Sequence, residues 1–281
     1  MSFNKEDMYL FFPQWEGSGK TNEIYRGATT LYQSLKSSIP FTEIEVESHH
    51  EPLIEQDIVG YAHILRYLQE VHHLLNTKKP QRIFTLGGDC GIEIAPISFL
   101  NKRYDGDLAV IWLDAHADVN TPQSSPSQTF HGMALRTLLG EGNPKLVEAL
   151  FSKLLPRQIF LAGVRDLDLP EQQFIARKQI ASFTCEQLTL HLDDVIDTIK
   201  NQGFSHAYLH IDVDVLDPLS FPYVKCPTPH GIAPETLQRM HQGMIESLSL
   251  VGCSIVELTP PGEGETQMIE QLASLYSSFL K

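Results

Sequence analysis

The apolar run Leu108-Ala-Val-Ile-Trp-Leu113 ends abruptly in Asp114, His116 and Asp118. A short, unbroken apolar run bounded by polar segments reads as a strand buried on both faces, the kind found in parallel sheets covered by helices. Three side chains of metal-ligand type then alternate at its carboxyl end. In extended chain, positions i, i+2 and i+4 share a side, so the spacing predicts two carboxylates and an imidazole converging on one point. Like charges held that close are costly without a neutralising cation, and a divalent metal is the economical source. A second apolar run, Ala207-Tyr-Leu-His-Ile-Asp212, ends in the same manner, in Asp212, Asp214 and Asp217.

Taken in order, the chain alternates strand and helix signals. Strands are predicted at 8–12, 83–86, 108–113, 158–162, 207–212 and 251–257, with an edge strand at 41–46. Helical spacing of Ile58, Tyr61, Leu65, Leu68 and Leu75 predicts a helix over 57–75, and others are expected at 92–100, from His131-Gly132, and over 186–200. Asn143-Pro144 reads as a cap and first-turn pair, with Leu146, Val147, Leu150 and Leu154 on one face. Pro234 opens a further helix, and Thr266 caps a last one with Ile269, Leu272, Leu275 and Phe279 facing inward. Residues 121–130, rich in Ser, Thr, Gln and Pro, form a polar loop suited to the rim of a site. Such alternation implies crossover connections and a mostly parallel α/β sheet covered on both faces. Ligands bind such sheets at the strand carboxyl ends. Gly87-Gly-Asp-Cys90, the Asp114 and Asp212 segments, Gly163-Val-Arg-Asp-Leu-Asp168 and Glu257 all fall there. No linker, repeat or low-complexity stretch divides the chain, so residues 1–281 are read as one domain.

Composition narrows the partners. With 21 basic and 35 acidic residues the net charge is −14, which argues against a nucleic-acid or anionic-membrane surface. No apolar stretch approaches the roughly 20 residues that cross a bilayer. The start lacks a basic segment followed by an apolar one, and Cys90, Cys185, Cys226 and Cys253 form no CxxC pair, so a reducing cytoplasm is the expected compartment.

Asp114, His116, Asp118, Asp212 and Asp214 offer four carboxylates and one imidazole, a hard set that suits Mn²⁺ better than the thiolate sets of structural zinc. That is too much negative charge for one divalent ion. Two ions about 3.5–4 Å apart balance it and can hold water as hydroxide at neutral pH.

These residues carry a resemblance. Asp114-Ala-His-Ala-Asp118, His210-Ile-Asp-Val-Asp-Val-Leu-Asp-Pro218 and Gly87-Gly-Asp-Cys90 resemble the three metal motifs of the arginase/agmatinase (ureohydrolase) family, and the likeness runs from about residue 83 to residue 260. It implies a three-layer α/β/α fold with a mostly parallel eight-stranded central sheet, a binuclear Mn²⁺ centre, and hydrolysis of a guanidino or related amidino group. Carried over by position, Asp114 and Asp212 bridge the ions. Asp118 ligates the first and holds the bridging hydroxide, while His116 and Asp214 complete the second. His131 matches the histidine that shuttles protons to the leaving amine, a role suited to a group titrating near neutrality. Glu257 matches the acid that orients the guanidinium, a planar bidentate partner for a buried carboxylate. Asn120 and Ser127 match loop residues that hold an α-carboxylate, and Asp168 and Glu171 match acids that face an α-amino group. The resemblance therefore leans to the arginase branch. Family members often form homo-oligomers, and the resemblance extends that expectation to this chain.

Two departures matter. The family's first metal ligand is a histidine, and this chain has Cys90, so a weakened first site or one holding zinc, iron or cobalt is expected. A similar cysteine marks the branch acting on N-omega-hydroxy-L-arginine. Cys226 stands roughly where arginases place a substrate-contacting threonine. His210, two positions before Asp212, reads equally as a support for the metal shell and as a packed structural residue. The leading reading is a hydrolase releasing urea or hydroxyurea and ornithine. The alternatives are a formimidoylglutamase-like or agmatinase-like hydrolase, and an inactive family member with a binding role. A two-metal phosphoesterase would want a basic clamp, for which the site segments offer mainly Arg165.

Overall fold

The computed structural model describes residues 3–262 and 267–280. Its strands are β1 (Asp7–Phe12), β2 (Thr42–Glu43), β3 (Ile54–Glu55), β4 (Ile58–Val59), β5 (Arg82–Gly87), β6 (Leu108–Leu113), β7 (Ile159–Ala162), β8 (Ala181–Phe183), β9 (His206–Asp212) and β10 (Ser249–Val256). Its helices are α1 (Glu23–Leu35), α2 (Tyr61–Lys78), α3 (Ile94–Arg103), α4 (Ala134–Leu138), α5 (Pro144–Glu148), α6 (Leu169–Lys178), α7 (Cys185–Leu190), α8 (Leu192–Lys200), α9 (Pro234–Ser247) and α10 (Gln267–Phe279). Eight strands form one sheet in the order β2-β1-β5-β10-β9-β6-β7-β8, and each pairing in it is parallel. The short β3–β4 pair is antiparallel and separate.

Period-two alternation along the strands sorts the interior into two cores. Ala109, Ile111 and Leu113 of β6 pack with α1 and α7–α10, whereas Leu108, Val110 and Trp112 pack with α2–α6. Every residue of β6 is fully buried, which is why its sequence shows no polar alternation. The result is the expected three-layer α/β/α arrangement with an eight-stranded parallel sheet.

Several elements depart from the sequence expectation. The edge strand predicted over 41–46 contracts to Thr42–Glu43 on β1. The helix predicted over 186–200 breaks at His191 into α7 and α8. Asn143 caps α5 as expected, accepting from the Lys145 and Leu146 amides, but the helix stops at Glu148, so Leu150 and Leu154 lie beyond it. The sequence expectation omits α1, although Ile24, Ala28, Leu31 and Leu35 follow helical spacing and are buried, and it omits the short β8 and the mostly polar α6. The predicted cap Thr266 lies outside the described residues.

β5 and β6, consecutive among the strands of this sheet, are separated in it by β10 and β9. Chain direction across the sheet reverses there, and the crevice above these carboxyl ends is where an open parallel sheet binds ligands. Gly88 sits at its floor. A Cβ there would lie 1.6 Å from the Gln14 carbonyl oxygen, so the β5 turn requires glycine to approach that backbone.

Candidate metal centre

Beyond Leu113 the chain is not extended. Asp114 turns it by accepting a hydrogen bond from the His116 amide at 2.6 Å, and Asp118 adopts a left-handed φ of 55°. The convergence expected from simple alternation is thus made by a side-chain-stabilised turn. Asp212 repeats the device with the Asp214 amide at 2.7 Å, and Asp89 with the Gly91 amide at 2.8 Å. An aspartate mimics a backbone turn by this bond, so the same side chain shapes the loop and delivers a carboxylate to the crevice. Asp118 and Glu257 both hold positive φ without being glycine, a cost tolerated mainly where function fixes the geometry.

Asp114, His116, Asp118, Asp212, Asp214, Cys90 and Glu257 all meet at the carboxyl ends of β5, β6, β9 and β10. Ligand-type atoms of Asp114, His116 and Asp214 lie within 4.8 Å of one another, as do those of Cys90, Asp212 and Glu257. A further group of the same closeness joins Cys90, Asp114 and Asp118 to His210. His116 Nδ1 stands 3.0 Å from Asp214 Oδ2 and 3.4 Å from Asp114 Oδ1. Asp214 Oδ1 accepts from the Ala115 amide, and the Cys90 thiol donates to Asp212 Oδ2 at 3.3 Å.

The electrostatics are those of a cation site. Burial, then the Asp114 charge, pushes the Asp118 carboxyl well above its usual range. Burial, then Asp214 and Asp114, does the same to Asp212. The Cys90 thiol is pushed up by burial and by Asp118 and Asp212. For Asp114 burial acts upward too, but the His116 and His210 imidazoles outweigh it and hold the carboxyl low. Asp118 Oδ2, Glu257 Oε2 and His210 Nε2 are buried with no hydrogen-bond partner. Buried carboxylate oxygens without a donor in an acidic pocket call for a positive charge, so the donor set fits divalent cations.

His131 Nδ1 lies 3.1 Å from Glu257 Oε1, which also accepts from the Cys90 amide at 3.3 Å. Burial lowers the imidazole's proton affinity, but Glu257 more than offsets this and raises it. A pocket of about 120 Å³ opens here, lined by His116, Asp118, Asn120, Ser127, His131, Asp168, Glu171 and Cys226 among others. Its rim is the polar loop over 121–130. Asn120 Nδ2 donates to Asp168 Oδ2 at 3.1 Å, and Ser127 contacts Thr129. Glu171 also holds the structure together, accepting from the Asp168 amide at 3.0 Å and the Val119 amide at 3.2 Å as it closes the first turn of α6. Arg165 spends its guanidinium on the carbonyls of Asp214, Thr228, Pro229 and Gly163. It buttresses the loop instead of presenting a phosphate clamp. Asp89 and Glu93, each fully buried, were not singled out in the sequence. Asp89 ties Gln14, Gly17 and Gly91 to the β5 turn.

A sequence model described as the arginase family matches residues 23–280. The chain belongs to the arginase family. It is 32% identical to an arginase of Staphylococcus aureus strain COL over 256 residues, 87% of this chain and 82% of the relative. It is 34% identical to an arginase of Bacillus caldovelox over 182 residues, 62% of this chain and 60% of that one. The crystal structure of Entamoeba histolytica arginase in complex with L-ornithine superposes with a TM-score of 0.85 at 24% identity, covering 100% of this chain and 99% of the other. A formimidoylglutamase from Bacillus subtilis shares the fold with a TM-score of 0.72 at 18% identity, covering 96% and 85%. Arginase-family proteins are hydrolases of guanidino groups that depend on a pair of metal ions, and this member carries a buried cluster able to hold cations. No helix among the described residues is long and apolar enough to cross a membrane.

Proposed function

We propose that this protein hydrolyses the guanidino group of arginine or of a close analogue such as N-omega-hydroxy-L-arginine, releasing ornithine and urea or hydroxyurea. The observation that carries this reading is Glu257: its Oε2 is buried without a partner beside His131, Cys90 and Asp212. A planar guanidinium satisfies such an oxygen with charge and hydrogen bonds together. The family and its relatives support the reaction class.

In this reading Asp114, His116, Asp118, Asp212 and Asp214, with Cys90, hold two cations, Mn²⁺ being the expected ion at least where His116 and Asp214 bind. Bound cations would supply activated water by lowering its pKa towards neutrality. Asp118, which would hold one cation through one carboxylate oxygen, accepts a hydrogen bond from the attacking water through the other. Glu257 fixes the guanidinium plane and polarises His131 through Nδ1. His131 then passes a proton to the departing amine, which leaves as the neutral amino group of ornithine before taking up a further proton. Asn120 and Ser127 receive the α-carboxylate and Asp168 the α-amino group, with Glu171 fixing Asp168 in place. That pairing favours an α-amino acid over a decarboxylated amine. Residues 1–281 act as one ureohydrolase domain in this reading, supported by the single large sheet, and the expected setting is the cytoplasm.

The test is purification with added Mn²⁺, measurement of bound metals, and parallel assays of urea-type products from arginine and N-omega-hydroxy-arginine. Two ions per chain with turnover of either substrate is the expected result, the hydroxylated one being preferred because of Cys90. Absence of product from both substrates in metal-replete protein overturns the proposal.

A further inference from the structure

His210 has the arrangement of a ligand and not of a packing residue. It lies in the interior of β9, fully buried, on the side of the strand shared by Tyr208 and Asp212. Its ring stacks on Trp112, its register partner on β6, at 3.6 Å and 18°. That stacking fixes the plane of the imidazole. Its rotation within that plane is fixed by Glu93, whose Oε1 lies 3.1 Å from Nδ1. Glu93 is itself held by the Tyr208 hydroxyl, which donates to Oε2 at 2.7 Å. A carboxylate that accepts a hydrogen bond from Nδ1–H favours the tautomer with its lone pair on Nε2, the arrangement that orients metal-binding histidines.

Nε2 is aimed at the metal centre. It is buried without a hydrogen-bond partner and stands 3.8 Å from Asp114 Oδ2, beyond hydrogen-bond reach. Together with Cys90 Sγ and oxygens of Asp114 and Asp118 it forms a group of four donor atoms within 4.8 Å of one another. Asp118 Oδ2 is likewise without a partner. Two orphaned buried atoms therefore share one point with a thiol and a second carboxylate.

Building on the two-cation reading above, we propose that His210 supplies the nitrogen donor of the first cation, compensating for the imidazole absent at Cys90, and that Glu93 is the residue that positions it. The donor set becomes one sulfur, one nitrogen and the carboxylate oxygens of Asp114 and Asp118, with Asp212 beside them. Such a set favours Zn²⁺, Fe²⁺ or Co²⁺ over Mn²⁺, whereas the oxygen-rich group of Asp114, His116 and Asp214 stays suited to Mn²⁺. The competing role for His210 is an imidazolium that bridges Glu93 and Asp114 as an ion pair. That form carries protons on both nitrogens and cannot ligate.

Full-length protein labelled with ¹⁵N-histidine and titrated with Zn²⁺ separates the two roles. Long-range ¹H–¹⁵N spectra report the protonation and coordination of each ring nitrogen. Two rings, His116 and His210, should acquire a metal-bound nitrogen while His210 keeps its Nδ1 proton. His210→Gln should bind one Zn²⁺ fewer per chain, and Glu93→Gln should weaken the first ion about 10- to 100-fold while leaving the second unchanged. The wild-type spectrum decides the matter even if a variant fails to fold. Two bound ions with only His116 responding overturns the role of His210 and leaves the metal centre standing. No Zn²⁺ uptake by the wild type overturns both.

Discussion

At the scale of single residues, the site is a set of buried acids paired with imidazoles and with each other. Glu257→Gln preserves the shape of the side chain and its bonds to the Cys90 amide and His131, and removes the charge from the orphaned oxygen. Losing one charge-assisted contact costs about 1.5–3 kcal/mol, so kcat/KM should fall roughly 10- to 150-fold with the metal count unchanged; steady-state kinetics beside metal analysis check this. Cys90 makes a spectroscopic prediction. Without a cation its thiol stays protonated, since burial and the surrounding carboxylates push it up. Cobalt-loaded protein should show thiolate-to-metal absorption in the near ultraviolet, and Cys90→Ser should abolish that band. An unchanged spectrum means that the sulfur does not ligate. These residues were legible because carboxylates and imidazoles at strand ends are rare in that pattern. Glu93 and Asp89 were not, since an acid near the start of a helix reads as a solvated first-turn residue until its burial is known.

At the scale of elements, strand ends and their turns set the geometry. The β5 turn passes so close to Gln14 that Gly88→Ala must move backbone. A cost of about 3 kcal/mol or more is expected from such a clash, with loss of metal affinity because Cys90 is displaced too; chemical denaturation and metal titration measure both. Ile111→Ala in β6 should cost about 2–5 kcal/mol, as for any large-to-small change in a packed core, but leave the metal count intact. The buried strands β1, β5, β6, β7, β9 and β10 were visible in the sequence as apolar runs. α7 and α8 were merged because helical spacing continues across His191, whose backbone alone breaks the helix. β2 was overdrawn because alternation at 41–46 exceeded the pairing that an edge strand needs.

For the molecule as a whole, metal and pH are coupled through the buried acids. Asp118 and Asp212 hold their protons to higher pH in the folded chain than in the unfolded one, and Asp89 is pushed up to about 8, chiefly by burial and then by Glu257. The folded state thus binds more protons than the unfolded state between the ordinary carboxylate range and these raised values. Stability of metal-free protein is present below that range and declines as pH rises through it. Saturating divalent cations replace those protons, so the gain in Tm on adding metal should be larger at pH 8 than at pH 5. A binding excess of 100 Kd stabilises by about 2.7 kcal/mol, worth roughly 5–10 °C in a chain of this size at about 2–4 °C per kcal/mol. Differential scanning calorimetry at the two pH values, with and without chelator, tests this; an equal gain at both contradicts it.

What the sequence determined by itself was the layered α/β plan and the identity of the acids at its crevice. Unbroken apolar runs can only be buried on both faces, and the acids that end them are costly to bury as anions without a cation. What only the tertiary structure decided was which donors face each other. Cys90, Asp118 and His210 are far apart in the chain and converge because β5, β6 and β9 are brought together by a strand order that no local pattern encodes. The contact of His210 Nδ1 with Glu93, which reaches it from a separate turn, depends on the same convergence. Pairing between strands distant in sequence is set by the global packing of two helical layers, and it is this pairing that turns a row of acids into a candidate metal centre with a pocket beside it.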